Sequence, residues 1–211
     1  MNRTRRLVLA LCAALALLVA LAACGSSKPD PAKKSSAGLQ GTKLSAPIPE
    51  PALTLTDQTG KPWDLRAQTK GRVTLLYFGY THCPDVCPTT MADIAVALKN
   101  VPAQVRSHVT VVFVTSDPAR DTAPVIKSWL AKFNPAFVGL TGNIDTIYAA
   151  AKKVGVPLEK PKKGPNGEID VTHGAQVLAF GMDQQARVVY TAGTSSDEYA
   201  HDINLLAQSA S

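Results

Sequence analysis

The sequence lacks the two patterns that are typical of nucleic-acid-binding proteins, a strongly basic helix face and a stripe of aromatic residues alternating with arginine. The formal net charge is +6, but three arginines lie within the first six residues, and without them the charge falls to +3. Much of the remaining basic charge lies in a segment rich in serine and proline and in one polar loop, at positions Lys28, Lys33, Lys34, Lys43, Lys160, Lys162 and Lys163. We therefore expect no nucleic-acid partner.

The sequence also lacks a hydrophobic run that is long enough to cross a membrane. The apolar run at residues 7–21 has 15 residues, and a spanning helix needs about 20. Basic residues precede this run and small residues follow it, which is the arrangement of a secretory signal peptide. We therefore predict a signal over residues 1–23 rather than a retained transmembrane anchor. The Leu-Ala-Ala-Cys sequence that ends at Cys24 resembles a bacterial lipobox, which implies that Cys24 is lipidated and attaches the protein to the extracytoplasmic face of the bacterial cell membrane.

Large apolar residues are scarce between residues 25 and 51, where Gly, Ser, Pro, Lys and Ala dominate. Such a composition buries too little apolar surface to offset the conformational entropy that is lost on ordering. We therefore predict a lipidated flexible tether over residues 24–51 and a globular domain over residues 52–211.

Strand and helix signals alternate through the predicted domain. Near-continuous apolar runs at residues 73–80 and 109–115 predict two buried strands, and apolar residues at helical spacing follow each run. Weaker signals predict a hairpin near residues 52–65, a strand and a helix between residues 137 and 155, a second hairpin over residues 176–191 and a final helix. This order predicts an α/β, thioredoxin-like fold with an N-terminal β-hairpin extension.

Cysteine is scarce in the predicted domain. Cys12 lies in the predicted signal and Cys24 is assigned to the lipid, so only Cys83 and Cys87 remain. Outside the cytosol such a pair is expected to form a disulfide, to bind a metal or to cycle between states. The pair forms a C-x-x-x-C loop between a predicted strand and a helix N-terminus, which favours a thiolate, so we expect at least one thiol to ionise more easily than a free one. The motif supports both copper ligation and thiol–disulfide exchange.

A histidine could complete a copper site, because thiolates suit Cu(I) and an imidazole accepts both Cu(I) and Cu(II). His173 is the best candidate, since it begins the predicted hairpin that should return beside the first long strand. Its alternative role is that of a structural histidine at a strand start. The other histidines are expected to point away from the cysteines or to lie at the surface, namely His82, His108 and His201.

Four segments resemble the Sco/SenC family: YFGYTHCPDVCPT at residues 77–89, VTSDPARDT at 114–122, FVGLTG at 137–142 and HGAQVLAF at 173–180. The resemblance covers nearly all of residues 50–210. It implies a membrane-tethered copper chaperone that helps to assemble the dinuclear copper centre of cytochrome c oxidase, with Cys83, Cys87 and His173 as the ligands of Cu(I) and Cu(II). The implied partners are the copper-binding subunit of the oxidase and, as a candidate donor, another copper chaperone.

One departure from the family pattern lies beside the histidine. The family often has Asp before this residue and Ser after it, whereas this chain has Thr172 and Gly174. A carboxylate that could orient the imidazole is therefore absent at these positions.

The alternative function is that of a thiol–disulfide reductase that keeps the copper-site cysteines of the oxidase reduced, with Cys83 and Cys87 as its redox pair. The three-residue spacer and the absence of proline between residues 166 and 211 argue against an ordinary thioredoxin-type enzyme, which usually places a cis-proline opposite the cysteines. A purely structural disulfide is disfavoured because so short a loop constrains the unfolded chain little. We therefore expect copper binding and transfer rather than enzymatic turnover.

Three further features carry weaker signals. Asp85 is an acid at a helix N-terminus, a group in the outer shell of the metal ligands or a contact for a partner protein. Asp117 and Asp121 are expected to serve turns and helix caps. Residues 160–170 are polar and contain Gly-Pro-Asn-Gly, which predicts an exposed, mobile loop or hairpin tip that contributes to partner docking.

Overall fold

The computed structural model describes residues 38–166 and 169–208. The predicted signal peptide and the predicted lipid attachment at Cys24 lie outside these residues. Within the described part of the chain, no helix is both long enough and apolar enough to cross a membrane.

Most of the described strands belong to a single mixed sheet. In chain order the strands are β1 (Thr42–Pro49), β2 (Thr54–Asp57), β3 (Pro62–Asp64), β4 (Val73–Gly79), β5 (Val109–Thr115), β6 (Val138–Thr141), β7 (Lys162–Lys163), β8 (Ile169–Asp170), β9 (Val177–Phe180) and β10 (Gln185–Tyr190). The sheet has the order β1-β10-β9-β4-β5-β6-β2-β3, and β7 pairs with β8 in a separate two-stranded hairpin.

The centre of the sheet is formed by the two long apolar strands. β4 and β5 are parallel, with Val73 opposite Val109 and Gly79 opposite Thr115. β6 continues the parallel pairing on one side, and β9 lies antiparallel to β4 on the other. Every residue of β4 is buried, because helices cover both faces of the strand, and this explains its uninterrupted apolar sequence.

Six helices surround this sheet in the described residues: α1 (Leu65–Thr69), α2 (Val86–Asn100), α3 (Ala103–Arg106), α4 (Ala123–Leu130), α5 (Ile144–Lys153) and α6 (Ser196–Gln208). Local sequence fixes several of their starts. Asn143 caps α5 by accepting hydrogen bonds from the backbone N–H groups of Asp145 and Thr146, and Asp64 caps α1 through the N–H of Ala67. Asp85 precedes α2 but makes no side-chain cap.

The core lies on both faces of the sheet. Val73, Leu75 and Tyr77 of β4 face α2, α4 and α6, whereas Leu76 and Phe78 face the side covered by α1 and α5. This alternation follows from the two-residue period of a strand. Burying one such side chain contributes about 1.5–3 kcal/mol, so these two layers dominate the stabilisation of the sheet that carries the site.

The predicted N-terminal hairpin is confirmed and joins the main sheet. β2 pairs antiparallel with β3, and Thr56 and Asp57 of β2 also pair with β6. The hairpin therefore extends the edge of the sheet instead of forming a separate layer.

Residues 42–49 of the predicted tether, by contrast, form a strand of the sheet. β1 lies within residues 24–51 and pairs antiparallel with β10, and Glu50 is buried. The carboxylate of Asp202 in α6 also accepts the backbone N–H groups of Gln40 and Gly41. Because backbone hydrogen bonds rather than buried side chains hold most of β1, its composition carries no apolar pattern that would predict it.

Candidate metal centre

The two cysteines lie where β4 gives way to α2. The backbone N–H of Cys83 donates to the carbonyl of Tyr80 over 3.2 Å, which closes a turn after the strand. The N–H of Cys87, in the first turn of α2, donates to the Cys83 sulfur over 3.4 Å. One N–H group in the first turn of the helix therefore points toward a sulfur.

His173 reaches the cysteines from a segment that is tied to the chain after α5. Its backbone pairs with Leu158 in an isolated β-bridge. The N–H of Gly174 donates to the carbonyl of Pro157 over 2.6 Å, and the N–H of Glu159 donates to the carbonyl of Thr172 over 3.0 Å. These bonds on both sides fix the position of the histidine backbone.

The imidazole of His173 has a defined tautomer. Its Nδ1 lies 3.0 Å from the carbonyl oxygen of Gly174, and because a carbonyl only accepts, Nδ1 must carry the proton. Nε2 is then free to accept and lies 3.4 Å from the Cys87 sulfur. A backbone carbonyl thus does the orienting that a neighbouring carboxylate would do, which compensates for Thr172 in place of Asp.

The three predicted donor atoms come together. The sulfurs of Cys83 and Cys87 and a ring nitrogen of His173 all lie within 4.8 Å of one another. Two ligands bound to one transition-metal ion at roughly 2.0–2.3 Å are at most about 4.6 Å apart. The group is therefore close to the size that a bound ion requires, and it is the only such group among residues 38–166 and 169–208.

The two thiols differ in their surroundings. Both are free, but Cys87 is buried whereas Cys83 is partly exposed. Burial raises the pKa of the Cys87 thiol to about 12, which outweighs the hydrogen bond from Tyr77. Cys87 is therefore not a thiol that ionises more easily than a free one, because desolvation exceeds the effect of the helix N-terminus. Burial also lowers the pKa of His173, so its imidazole is neutral at neutral pH.

Two tyrosines at the end of β4 pack against the donor group. The hydroxyl of Tyr77 donates to the Cys87 sulfur over 3.4 Å, and burial raises its pKa far above the ordinary value, so it stays protonated. The rings of Tyr77 and Tyr80 both meet the His173 ring edge-on, at centroid distances of 6.1 and 5.4 Å. Gly79 completes this wall, since a Cβ there would lie 2.8 Å from the Cys87 sulfur.

Asp121 fixes the start of the loop that carries Cys83, a role that the sequence did not predict. This buried carboxylate accepts a hydrogen bond of 2.9 Å from the backbone N–H of Thr81 and one of 2.5 Å from the hydroxyl of Thr81. It also accepts the hydroxyl of Thr115 at the end of β5 over 2.7 Å. Asp121 therefore joins the loop after β4 to β5, in addition to the backbone turn that it makes with Asp117. The only sequence feature that points to Asp121 is its position in the VTSDPARDT segment, which resembles the family.

The remaining candidate residues lie outside the donor group. His82 is half exposed, with Nδ1 3.5 Å from Asp121. His108 is exposed, as predicted, and His201 bonds to Asp202. Asp85 is exposed and has no cap bond, so its role stays open.

The polar segment before His173 forms the exposed hairpin of β7 and β8, as predicted. Lys162 and Lys160 pair with Glu159 and Asp145. The mobility of this hairpin and its part in docking stay predictions.

Fold and site together define a thioredoxin-like protein with a Cys–Cys–His metal centre. The chain belongs to the SCO1/SenC family, whose model matches residues 43–208. It is 36% identical over 137 residues to a protein from Stutzerimonas stutzeri described as copper-binding, which covers 65% of this chain and 66% of that relative.

Solved structures of the family share the fold. Copper-bound ScoI from Bradyrhizobium japonicum is similar with a TM-score of 0.67 and 30% identity, covering 75% of this chain and 99% of that one. A SCO1/SenC family lipoprotein from Bacillus anthracis is similar with a TM-score of 0.64 and 25% identity, covering 78% and 99%. The chain spans 66%, 47% and 43% of the length of the first three curated relatives that it matches.

Proposed function

We propose that the protein binds one copper ion through Cys83, Cys87 and His173 and delivers it to the dinuclear copper site of cytochrome c oxidase. The observation that carries this proposal is the convergence of two sulfurs and one imidazole nitrogen within 4.8 Å. This donor set suits Cu(I) and also accepts Cu(II). Family membership and the copper-bound relative support the choice of metal.

The unequal burial of the ligands suggests how the cargo is handed over. Cys87 is enclosed by Tyr77 and Gly79, whereas Cys83 is partly exposed. An incoming ligand from the acceptor can reach the Cys83 side of the site, so Cys83 is the first ligand to be exchanged and Cys87 the last. Because the Cys87 thiol is protonated at neutral pH, loading releases its proton and unloading takes one up.

Transfer to the acceptor tests this function directly. The Cu(I)-loaded protein is mixed with the reduced, copper-free copper-binding subunit of the oxidase. We expect copper to leave the chain and to be recovered in the subunit, and we expect the absorption of a mixed-valence dinuclear centre to appear there once a one-electron oxidant such as ferricyanide is added. Copper that stays on the chain under these conditions would contradict delivery.

A thiol–disulfide reductase is the second candidate, favoured by the two free thiols that lie side by side. The Cys83 sulfur would attack an acceptor disulfide, releasing one acceptor thiol and leaving a mixed disulfide. Cys87 would then lose its proton and attack the Cys83 sulfur, which frees the second acceptor thiol and leaves a Cys83–Cys87 disulfide. Two electrons pass to the acceptor, and an external dithiol must reduce the protein again.

The raised pKa of Cys87 would slow the second step at neutral pH, because the thiolate is the attacking species. A parallel assay separates the two functions. The copper-free dithiol protein is mixed with the disulfide form of the oxidase subunit, and free acceptor thiols are counted. Rapid appearance of two thiols per acceptor, without copper transfer in the first assay, would assign the reductase function.

We also propose that residues 1–23 are removed and that Cys24 carries the lipid that holds the protein on the extracytoplasmic face of the membrane. The lipobox-like sequence and the similarity to the Bacillus anthracis lipoprotein support this anchor. Expression with a labelled fatty acid tests it. The label should appear in the membrane-bound wild type and vanish in Cys24→Ser, and label that persists in this variant would contradict the assignment.

A further inference from the structure

One buried hydrogen bond reaches the candidate metal centre from a residue outside the donor group. The Tyr77 hydroxyl lies 3.4 Å from the Cys87 sulfur, and both side chains are fully buried. No solvent competes for the hydroxyl in such a position, so the bond is stronger than an exposed one would be.

The position of the phenol ring is closely fixed. It packs against Phe113 at a centroid distance of 6.3 Å and against the His173 ring at 6.1 Å. A Cβ at position 79 would lie 2.9 Å from its ring carbon Cε1, so the ring also lies close to the strand at Gly79. The hydroxyl cannot turn away from the sulfur without disturbing these neighbours.

Thr90 of α2 is a buried polar neighbour of this hydroxyl. Burial raises the pKa of Tyr77, whereas the side chain of Thr90 lowers that pKa by a smaller amount. A group that stabilises negative charge on the phenol oxygen makes the hydroxyl a better donor, so Thr90 supports the bond to the sulfur.

We propose that Tyr77 is a positioning residue that tunes the copper–Cys87 bond and thereby shifts the site toward Cu(I). A hydrogen bond to a thiolate withdraws electron density from the sulfur. Cu(II) depends more than Cu(I) on donation from that sulfur, so the bond weakens Cu(II) binding relative to Cu(I). Hydrogen bonding around a cysteine sulfur tunes copper redox potentials in this way.

This role suits a carrier of Cu(I), and it rests on the proposed copper site. The enclosed Cys87 is the ligand that keeps the metal longest, and a bond that limits its donation to Cu(II) keeps the cargo in the transferable state.

The test compares Tyr77→Phe with the wild type and with Tyr190→Phe. Tyr190 is a suitable control, because it is a buried tyrosine of the same core whose hydroxyl bonds to Asp202 over 3.1 Å. Copper stoichiometry is measured first, and a wild type that binds no copper would sink the proposed function itself. The potential of the copper couple, the ratio of Cu(I) to Cu(II) affinity and the thiolate-to-Cu(II) absorption band then test the role of Tyr77.

We expect Tyr77→Phe to bind one copper, to lower the ratio of Cu(I) to Cu(II) affinity about three- to tenfold, as loss of one hydrogen bond would, and to move the band to lower energy. Thr90→Val should change both in the same direction by less, and it keeps the test valid if Tyr77→Phe folds poorly. Tyr190→Phe should leave both unchanged. An unaltered band and ratio in Tyr77→Phe, or equal shifts in both tyrosine variants, would overturn the proposal.

Discussion

The thiols of Cys83 and Cys87 are chemically identical, but their surroundings give them different reactivity. Cys87 is buried and its pKa is raised to about 12, whereas Cys83 is partly exposed. We expect iodoacetamide at pH 8 to alkylate Cys83 in the folded, copper-free protein and to spare Cys87. Because the thiolate fraction below the pKa grows with pH, alkylation of Cys87 should accelerate about tenfold per pH unit up to pH 11.

Peptide mass spectrometry after timed quenching measures both rates. In denaturant the two thiols should react alike, which serves as the control. Equal rates at pH 8 in the folded protein would mean that Cys87 is not enclosed.

Gly79 is needed because the Cys87 sulfur approaches its backbone closely. In Gly79→Ala the new Cβ would lie 2.8 Å from that sulfur, so we expect a loss of about 1–3 kcal/mol in the free energy of unfolding, as for other overpacked cores, together with weaker copper binding. Urea unfolding and chelator competition measure the two effects.

Gly139→Ala is the matched control for this change. Its Cβ would collide with Ile126 in the same core, away from the cysteine loop, so it should cost stability without altering copper affinity. If both variants weaken copper binding equally, the effect of Gly79 is a general loss of packing.

The sequence predicted the donor residues better than their electrostatics. The C-x-x-x-C spacing and the family resemblance identified Cys83, Cys87 and His173, and the structure brings these three together. It could not show that burial of Cys87 would exceed the helix effect, nor that a Tyr77 hydroxyl would reach the sulfur. Both depend on packing between distant parts of the chain.

Among the loops, the one that carries Cys83 depends on a single carboxylate. In Asp121→Asn one carboxylate oxygen becomes an amide nitrogen, which cannot accept. The chain then loses either the hydrogen bond from the Thr81 hydroxyl or those from the Thr81 N–H and the Thr115 hydroxyl. We expect a loss of about 1–3 kcal/mol in the free energy of unfolding, faster hydrogen exchange at the Thr81 amide and weaker copper binding.

Asp57→Asn is the control for this prediction. Asp57 also accepts several hydrogen bonds, but it lies in an exposed turn that is distant from Asp121 in the sequence. It should change stability little and copper affinity not at all. Unchanged exchange at Thr81 in Asp121→Asn would show that the loop does not need the carboxylate.

Strands and helices whose sequences carry an apolar pattern were predicted correctly, whereas β1, whose sequence carries none, was not. β5 matches its predicted bounds because it is a continuous apolar run in the core. β1 was missed, since it is an edge strand held mainly by backbone pairing. Val125 and Tyr148 are apolar residues of α4 and α5 but are 37% and 36% exposed, so helical spacing of apolar residues does not place every one of them in the core.

The folded unit includes the chain that precedes the predicted domain. β1 pairs with β10, and the buried Glu50 accepts hydrogen bonds from Thr69 and Gln184. We therefore expect a chain that begins at Ala52 to be less stable than one that begins at Gly38 by at least about 2 kcal/mol, because Asp202 would also lose its two N–H donors. Urea unfolding of both chains measures the difference. Equal midpoints would mean that the folded domain begins at Ala52, as the sequence predicts.

The molecule as a whole places one buried and two partly exposed donor groups at the end of its central strands, in a form that can accept a metal and release it. The central claim is that Cys83, Cys87 and His173 form one copper site. The most direct test is a copper titration of the reduced protein beside His173→Ala, with His108→Ala as the control because His108 is exposed and outside the donor group. We predict one tight copper per chain and a thiolate-to-Cu(II) band that vanishes in His173→Ala and persists in His108→Ala. Absence of copper binding, or a His173→Ala protein that behaves like the wild type, would contradict the account.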